Sequence, residues 1–194
     1  MSIKMKDFIS KSIFAGILIG LGGCVNLSIG GIFGAILFAF GLMSVVLSKS
    51  NLFTGKSGFY ENKTDIINLI PMILLNFIGC AIIAFLTYEN VDSYNIISKR
   101  VFTSLTSVFS LSFCTGIIMT IAVKYAKTKE SWLPLLFGVP LFILSGMPHC
   151  IADAYYYFIA IFDNYWTNDI FTIWGISIIG NFIGCIIPTK IFKI

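Results

Sequence analysis

The chain has 194 residues, 57% of them hydrophobic and 11% charged, with a net charge of +4 and a mean hydropathy of +0.93. A soluble domain carries about 25% charged residues, so a water-soluble globule is excluded as the expected form. In so apolar a chain the positive balance reads as a topology signal and not as a nucleic-acid-binding surface, and the lipid bilayer is the expected partner.

The charges are clustered as well as few. Uncharged runs cover Ser12 to Ser48, Ile66 to Tyr88, Val101 to Val123, Ser131 to Ala152 and Ile170 to Thr189. A helix crosses the hydrocarbon core with roughly 20 apolar residues. The first run suits two passes that turn near Ser28-Ile29-Gly30-Gly31, which gives six spans in all. These use up nearly the whole chain, so residues 1–194 are expected to form a single transmembrane domain. Lys4, Lys6 and Lys11 precede the first span, but no small-residue cleavage site follows it, and no cleavable signal peptide is expected.

In the second span, Ser48-Lys49-Ser50-Asn51-Leu52-Phe53-Thr54-Gly55-Lys56 interrupts an apolar run with polar residues and glycine. The third span carries Asn-Phe-Ile-Gly-Cys at Asn76 to Cys80. The same five residues recur at Asn181 to Cys185 in the sixth, about half the chain later. Copies three spans apart have opposite orientations, so the pattern predicts an inverted 3+3 repeat. In the fifth span, Ser145-Gly146-Met147-Pro148-His149 forms a second interruption, because proline removes a backbone donor and distorts a helix. Non-helical backbone at membrane depth is tolerated where protein or a water-filled cavity receives its polar groups. Gly16/Gly20, Gly30/Gly34 and Gly180/Gly184 have the spacing of close helix contacts.

Lys4, Lys6, Lys11, Lys56, Lys63, Lys124, Lys127, Lys129, Lys190 and Lys193 fall on one side of a six-span chain. Lys99 and Arg100 fall on the other, with Glu89, Asp92, Asp163 and Asp169. Basic residues mark the cytoplasmic side, so both termini are expected in the cytoplasm, with the protein in the cell's inner (plasma) membrane.

His149 is the sole histidine and lies within a membrane run, where an ionisable group is costly and is a functional candidate by default. Asp153, four residues on, shares its helical face, where it would either bear on the charge of His149 or face an outer vestibule. Thr54 offers a hydroxyl inside the first interruption, either to a permeating solute or as a helix cap. Leu52 and Phe53 flank it and suit either a dry constriction or ordinary packing. The five cysteines, Cys24, Cys80, Cys114, Cys150 and Cys185, lie in apolar spans without C-x-x-C spacing and read as packing residues. No second histidine is present for a metal site, and no metal, cofactor or enzymatic activity is expected.

Four motifs in order resemble the formate/nitrite transporter family. Phe38-Ala39-Phe40-Gly41-Leu42 resembles its F-S-L-G-L stretch, and Leu52-Phe53-Thr54-Gly55 its L-F-T-G element. Ser145 to Asp153 resembles its S-G-F-E-H-S-I-A-N element, and Gly180 to Gly184 its G-N-I-I-G. The resemblance implies an all-α integral membrane protein of aquaporin-like fold, with the second and fifth helices broken. It further implies a homopentamer with one pore per protomer for a small monovalent weak-acid anion such as formate, nitrite or hydrosulfide. By position, Thr54, His149 and Asn181 would stand in the central pore. Phe38, Leu42, Leu52, Phe53 and Phe142 would line two constrictions, and Arg100 or Lys99, with Asp153, would set the vestibule charge. The sequence departs from the family pattern at Pro148, where glutamate is usual, at Asp153 and Gly116, where asparagine is, and at Lys56. The alternative reading is a pore for a small neutral solute such as urea, ammonia or water.

Overall fold

The computed structural model describes residues 3–129 and 131–193, and these residues are helical throughout, joined by short turns. The helices are α1 (Ile3–Ile29), α2 (Gly31–Leu47), α3 (Phe53–Lys56), α4 (Lys63–Thr87), α5 (Tyr94–Val101), α6 (Leu105–Thr128), α7 (Leu133–Leu144), α8 (Cys150–Phe162) and α9 (Asp169–Ile186). A 3₁₀ turn (Tyr88–Asn90) follows α4 and a π turn (Ile187–Ile191) follows α9.

Four of these stretches, those built on α1, α4, α6 and α9, are long and apolar enough to cross a membrane. Where the sequence places the second and fifth spans, the structure has two pieces each: α2 with α3, and α7 with α8. The turn between α1 and α2 is made by Gly30 (φ 69°) and Gly31 (φ 56°), a left-handed conformation suited to glycine. No heavy atom lies within 4 Å of a Cβ built on Gly30, so this residue serves the turn and makes no helix contact. The interruption after α2 passes through Lys49 (φ 53°), and that after α7 through Gly146 (φ 66°). The start of α4 is closed by Asn62 and Asp65, each accepting from the other's backbone N–H. The connection before the fourth span holds a short helix, α5, which buries Ile97 and Arg100.

The helices pair closely, α1 on α4 and α6 on α9. Glycines permit this: a Cβ on Gly16 or Gly79, or on Gly116 or Gly184, would collide with the facing helix backbone. The molecule's polarity is distributed for a membrane. Asn76, Asn181, Thr54, Thr115, Thr120 and His149 are buried inside, while Ile32, Phe33, Phe40, Ile70, Leu86 and Phe137 stand exposed on the outside. Such a wide apolar exterior suits hydrocarbon or another copy of the chain.

Candidate functional site

Each broken span is held by an asparagine from the helix that follows it. Asn181 of α9 accepts at Oδ1 from the Cys150 N–H (2.8 Å) and donates through Nδ2 to Pro148 O (3.1 Å) and Ser112 O (2.7 Å). Asn76 of α4 does the same in the first half. It accepts from the Phe53 N–H (2.9 Å) and donates to Asn51 O (2.8 Å) and Ser12 O (2.7 Å). The duplicated Asn-Phe-Ile-Gly-Cys segment therefore has one physical task in each half. Its asparagine satisfies backbone groups that the break leaves without helical partners. Its cysteine donates a thiol bond to the other half's broken span, Cys80 to Ile151 O (3.3 Å) and Cys185 to Thr54 O (3.4 Å).

The two breaks meet at Thr54 and His149. Thr54 Oγ1 and His149 Nε2 are 2.9 Å apart, with both residues buried. His149 is also the N-cap of α8, where its Nδ1 accepts from the Ala152 N–H (3.1 Å). With Nδ1 an acceptor, the neutral ring carries its hydrogen on Nε2 and donates it to Thr54 Oγ1. The Thr54 hydroxyl hydrogen is then left to point elsewhere. Phe142 stacks on the imidazole (centroids 5.3 Å, 19°) and meets Phe38 edge-on (6.4 Å, 86°).

Two hollows approach this centre from different sides. One, of about 490 Å³, is bordered by Leu42 and Leu52 and by Lys49, Lys56, Lys127 and Trp132. The other, of about 250 Å³, is bordered by Phe142 and by Asn26, Lys99, Arg100, Asp153 and Tyr156. Phe38, Leu42, Leu52 and Phe142 are each at most 3% exposed. Phe53 borders neither hollow. Its ring stacks on Phe182 of α9 (6.4 Å, 26°) and its N–H is held by Asn76.

Sequence alone leaves open which of Lys99 and Arg100 is the vestibule cation. Lys99 is exposed, whereas Arg100 is 9% exposed and tied down. Its Nη1 donates to Gly146 O and its Nη2 to Asp153 Oδ1 (3.3 Å). Arg100 thereby links α5 to the interruption of the fifth span and to α8. Asp153 turns away from solvent, at 2% exposure, and pairs with Arg100. Asn181 has both polar atoms of its amide engaged with backbone. Sequence reasoning missed the lysine-lined hollow, although Lys49 and Lys56 bracket the first break. It also missed Asn26, which donates to the Tyr156 hydroxyl (3.0 Å) beside the second hollow. Among the described residues, no group of three or more His, Cys, Asp or Glu side chains stands ready for a metal ion.

The sequence matches the family model described as "Formate/nitrite transporter" over residues 1–193. No curated protein matches the chain. Among solved structures, one described as an "FNT family ion channel" is similar with a TM-score of 0.82 at 19% identity, over 96% of this chain and 88% of that one. Another, described as a "Pentameric formate channel with formate bound", is similar with a TM-score of 0.76 at 20% identity, over 97% of this chain and 94% of the other. At these identities the two structures establish the fold, and the motif order and broken-span architecture agree with the family match. The chain belongs to the formate/nitrite transporter family, whose members are membrane transport proteins.

Proposed function

We propose that this chain forms a pore for a small monovalent weak acid and its anion, with formate the first candidate. The reading includes six crossings in an inverted repeat, both termini in the cytoplasm, a plasma-membrane location and a homopentamer with one pore per protomer. A similar solved structure is described as pentameric with formate bound, which supports the substrate class and the assembly. The observation that carries the proposal is the buried Thr54–His149 bond between two cation-bordered hollows. An anion leaving either hollow meets apolar side chains, and desolvating a charge there is prohibitive unless it is neutralised.

Neutralisation by a proton that travels with the substrate fits the geometry better than donation from His149. The Nδ1 lone pair caps α8, so a proton placed there would set two N–H groups against each other. The Thr54 hydroxyl, accepting from His149 Nε2, is free to donate to the passing acid in place of water. Phe38, Phe142, Leu42 and Leu52 exclude hydrated ions in this scheme. Asn181 and Asn76 act by holding the breaks, and Phe53 by anchoring the α3 turn.

The test is flux of formate, nitrite, hydrosulfide, acetate, chloride and urea into proteoliposomes over a pH series, with current recorded in parallel. Formate flux that rises as pH falls, with little current and no chloride passage, is expected. If His149→Asn left both the rate and the pH profile unchanged, the central role of the pair would be wrong. A second reading, a pore for a neutral solute such as urea, draws on the Asp153–Arg100 pair, which offsets charge at one mouth. Urea flux without formate flux would select it.

A further inference from the structure

The two mouths of the pore differ in charge. The hollow beyond Leu42 and Leu52 is bordered by Lys49, Lys56 and Lys127, with no acidic residue among the described side chains that line it. None of the three lysines makes an ion pair among the described residues. Lys127 lies over the Phe59 ring (5.2 Å). Glu61, the carboxylate nearest in sequence to Lys56, and Asp65 border a separate hollow that Lys56 also lines, and Asp65 is occupied by the Glu61 and Asn62 N–H groups at the start of α4. At the opposite mouth the buried cation, Arg100, is already matched by Asp153 and by Gly146 O, which leaves Lys99 as the exposed cation beside that hollow.

We propose that the lysine-bordered hollow is the pore's anion-collecting mouth, and that Asp153 makes the other mouth a weak binder. Lys49, Lys56 and Lys127 are its specificity-determining groups toward small monovalent anions. This rests on the reading that the pore carries a small weak acid or its anion. Charges farther away matter less, because salt screens them over about 8 Å at physiological ionic strength. Ammonium groups of Lys49, Lys56 and Lys127 within roughly that distance of an entering anion would raise its local concentration about three- to ten-fold, the higher figure applying where apolar walls lower the effective dielectric.

A passive pore cannot turn this asymmetry into net pumping. At zero voltage and equal pH, the ratio of maximal rate to half-saturating concentration is the same from both sides. The asymmetry therefore appears as a half-saturating concentration about three- to ten-fold lower at the lysine mouth, with a correspondingly lower maximal rate from that side.

The experiment measures initial rates of labelled formate entry into proteoliposomes sorted by the accessibility of a terminal tag, so that each mouth is presented in turn. The Lys56→Gln/Lys127→Gln variant should raise the half-saturating concentration at the lysine mouth toward the other side's value. Asp153→Asn, which keeps an oxygen for Arg100, should lower it at the opposite mouth. Addition of 0.5 M inert salt should compress the difference, by screening. Equal or reversed half-saturating concentrations, or an asymmetry that both variants leave untouched, would overturn this inference while leaving formate transport intact. Absence of saturable formate flux from either side would overturn it together with the transport reading.

Discussion

Replacing Asn181 with leucine keeps the side chain's approximate volume and removes three hydrogen bonds, to the Cys150 N–H, Pro148 O and Ser112 O. All three partners lie where Asn181 is fully buried, so water cannot replace the amide. Hydrogen bonds inside membrane proteins average ~0.6 kcal/mol each with a maximum near 1.7 kcal/mol, so the variant should lose about 2–5 kcal/mol. Asn76→Leu removes the equivalent set at Phe53, Asn51 and Ser12, and its loss should match to within ~1 kcal/mol. Asn181→Asp retains an acceptor for Cys150 but sets a second oxygen against two carbonyls, and should cost at least as much as leucine. Reversible unfolding in lipid bicelles measures the losses. A change below ~1 kcal/mol for Asn181→Leu would refute the argument that this amide holds the break. So would a large loss at one asparagine with none at its twin.

Arg100→Ala leaves Asp153 buried without its partner and should destabilise by on the order of 3 kcal/mol, while Arg100→Ala/Asp153→Asn recovers much of that, both read by the same unfolding. Gly184→Ala drives a methyl group into the Phe113 backbone and should cost at least ~2 kcal/mol. Gly175→Ala, with nothing within 4 Å of its Cβ, should be neutral or stabilising by up to ~1 kcal/mol through helix propensity. Thr54→Val and His149→Asn should each lower formate flux at least ~10-fold without loss of folded protein. Their combination should be no worse than the single variants, because the two side chains act through one bond. Thr54→Ser should restore most of the rate.

Much of the architecture was legible in the sequence because a membrane imposes a simple rule on composition. Uncharged runs located the long helices. The clusters at Ser48 to Lys56 and Ser145 to His149 located both breaks, since polar and glycine residues at such depth have few other uses. The repeated Asn-Phe-Ile-Gly-Cys marked equivalent positions, but its chemistry was hidden. A pore group and a backbone-holding group are the same letter, and the partners of Asn181 at Ser112 and Pro148 are set by three-dimensional packing. Arg100 and Asp153 posed the same difficulty. They lie far apart in the chain, and what pairs them is α5, a helix too short and too polar to stand out from an ordinary connection. Lys56 and Lys127 looked like topology markers and Lys49 like part of the first break, and their convergence on one hollow appears once α2, α3 and α6 are packed together.

The asparagine bonds have a consequence for how the protein is made. Those of Asn76 reach Ser12, Asn51 and Phe53, and those of Asn181 reach Ser112, Pro148 and Cys150. Each set closes within its own part of the chain. During synthesis the first set is complete once Asn76 has entered the bilayer, long before His149 leaves the ribosome. The first break can thus mature as an autonomous insertion unit, with its backbone already sheltered from lipid. Thr54 then waits for a partner that arrives only when the second unit docks. A chain severed in the short link between α5 and α6 should therefore reassemble from two co-expressed fragments.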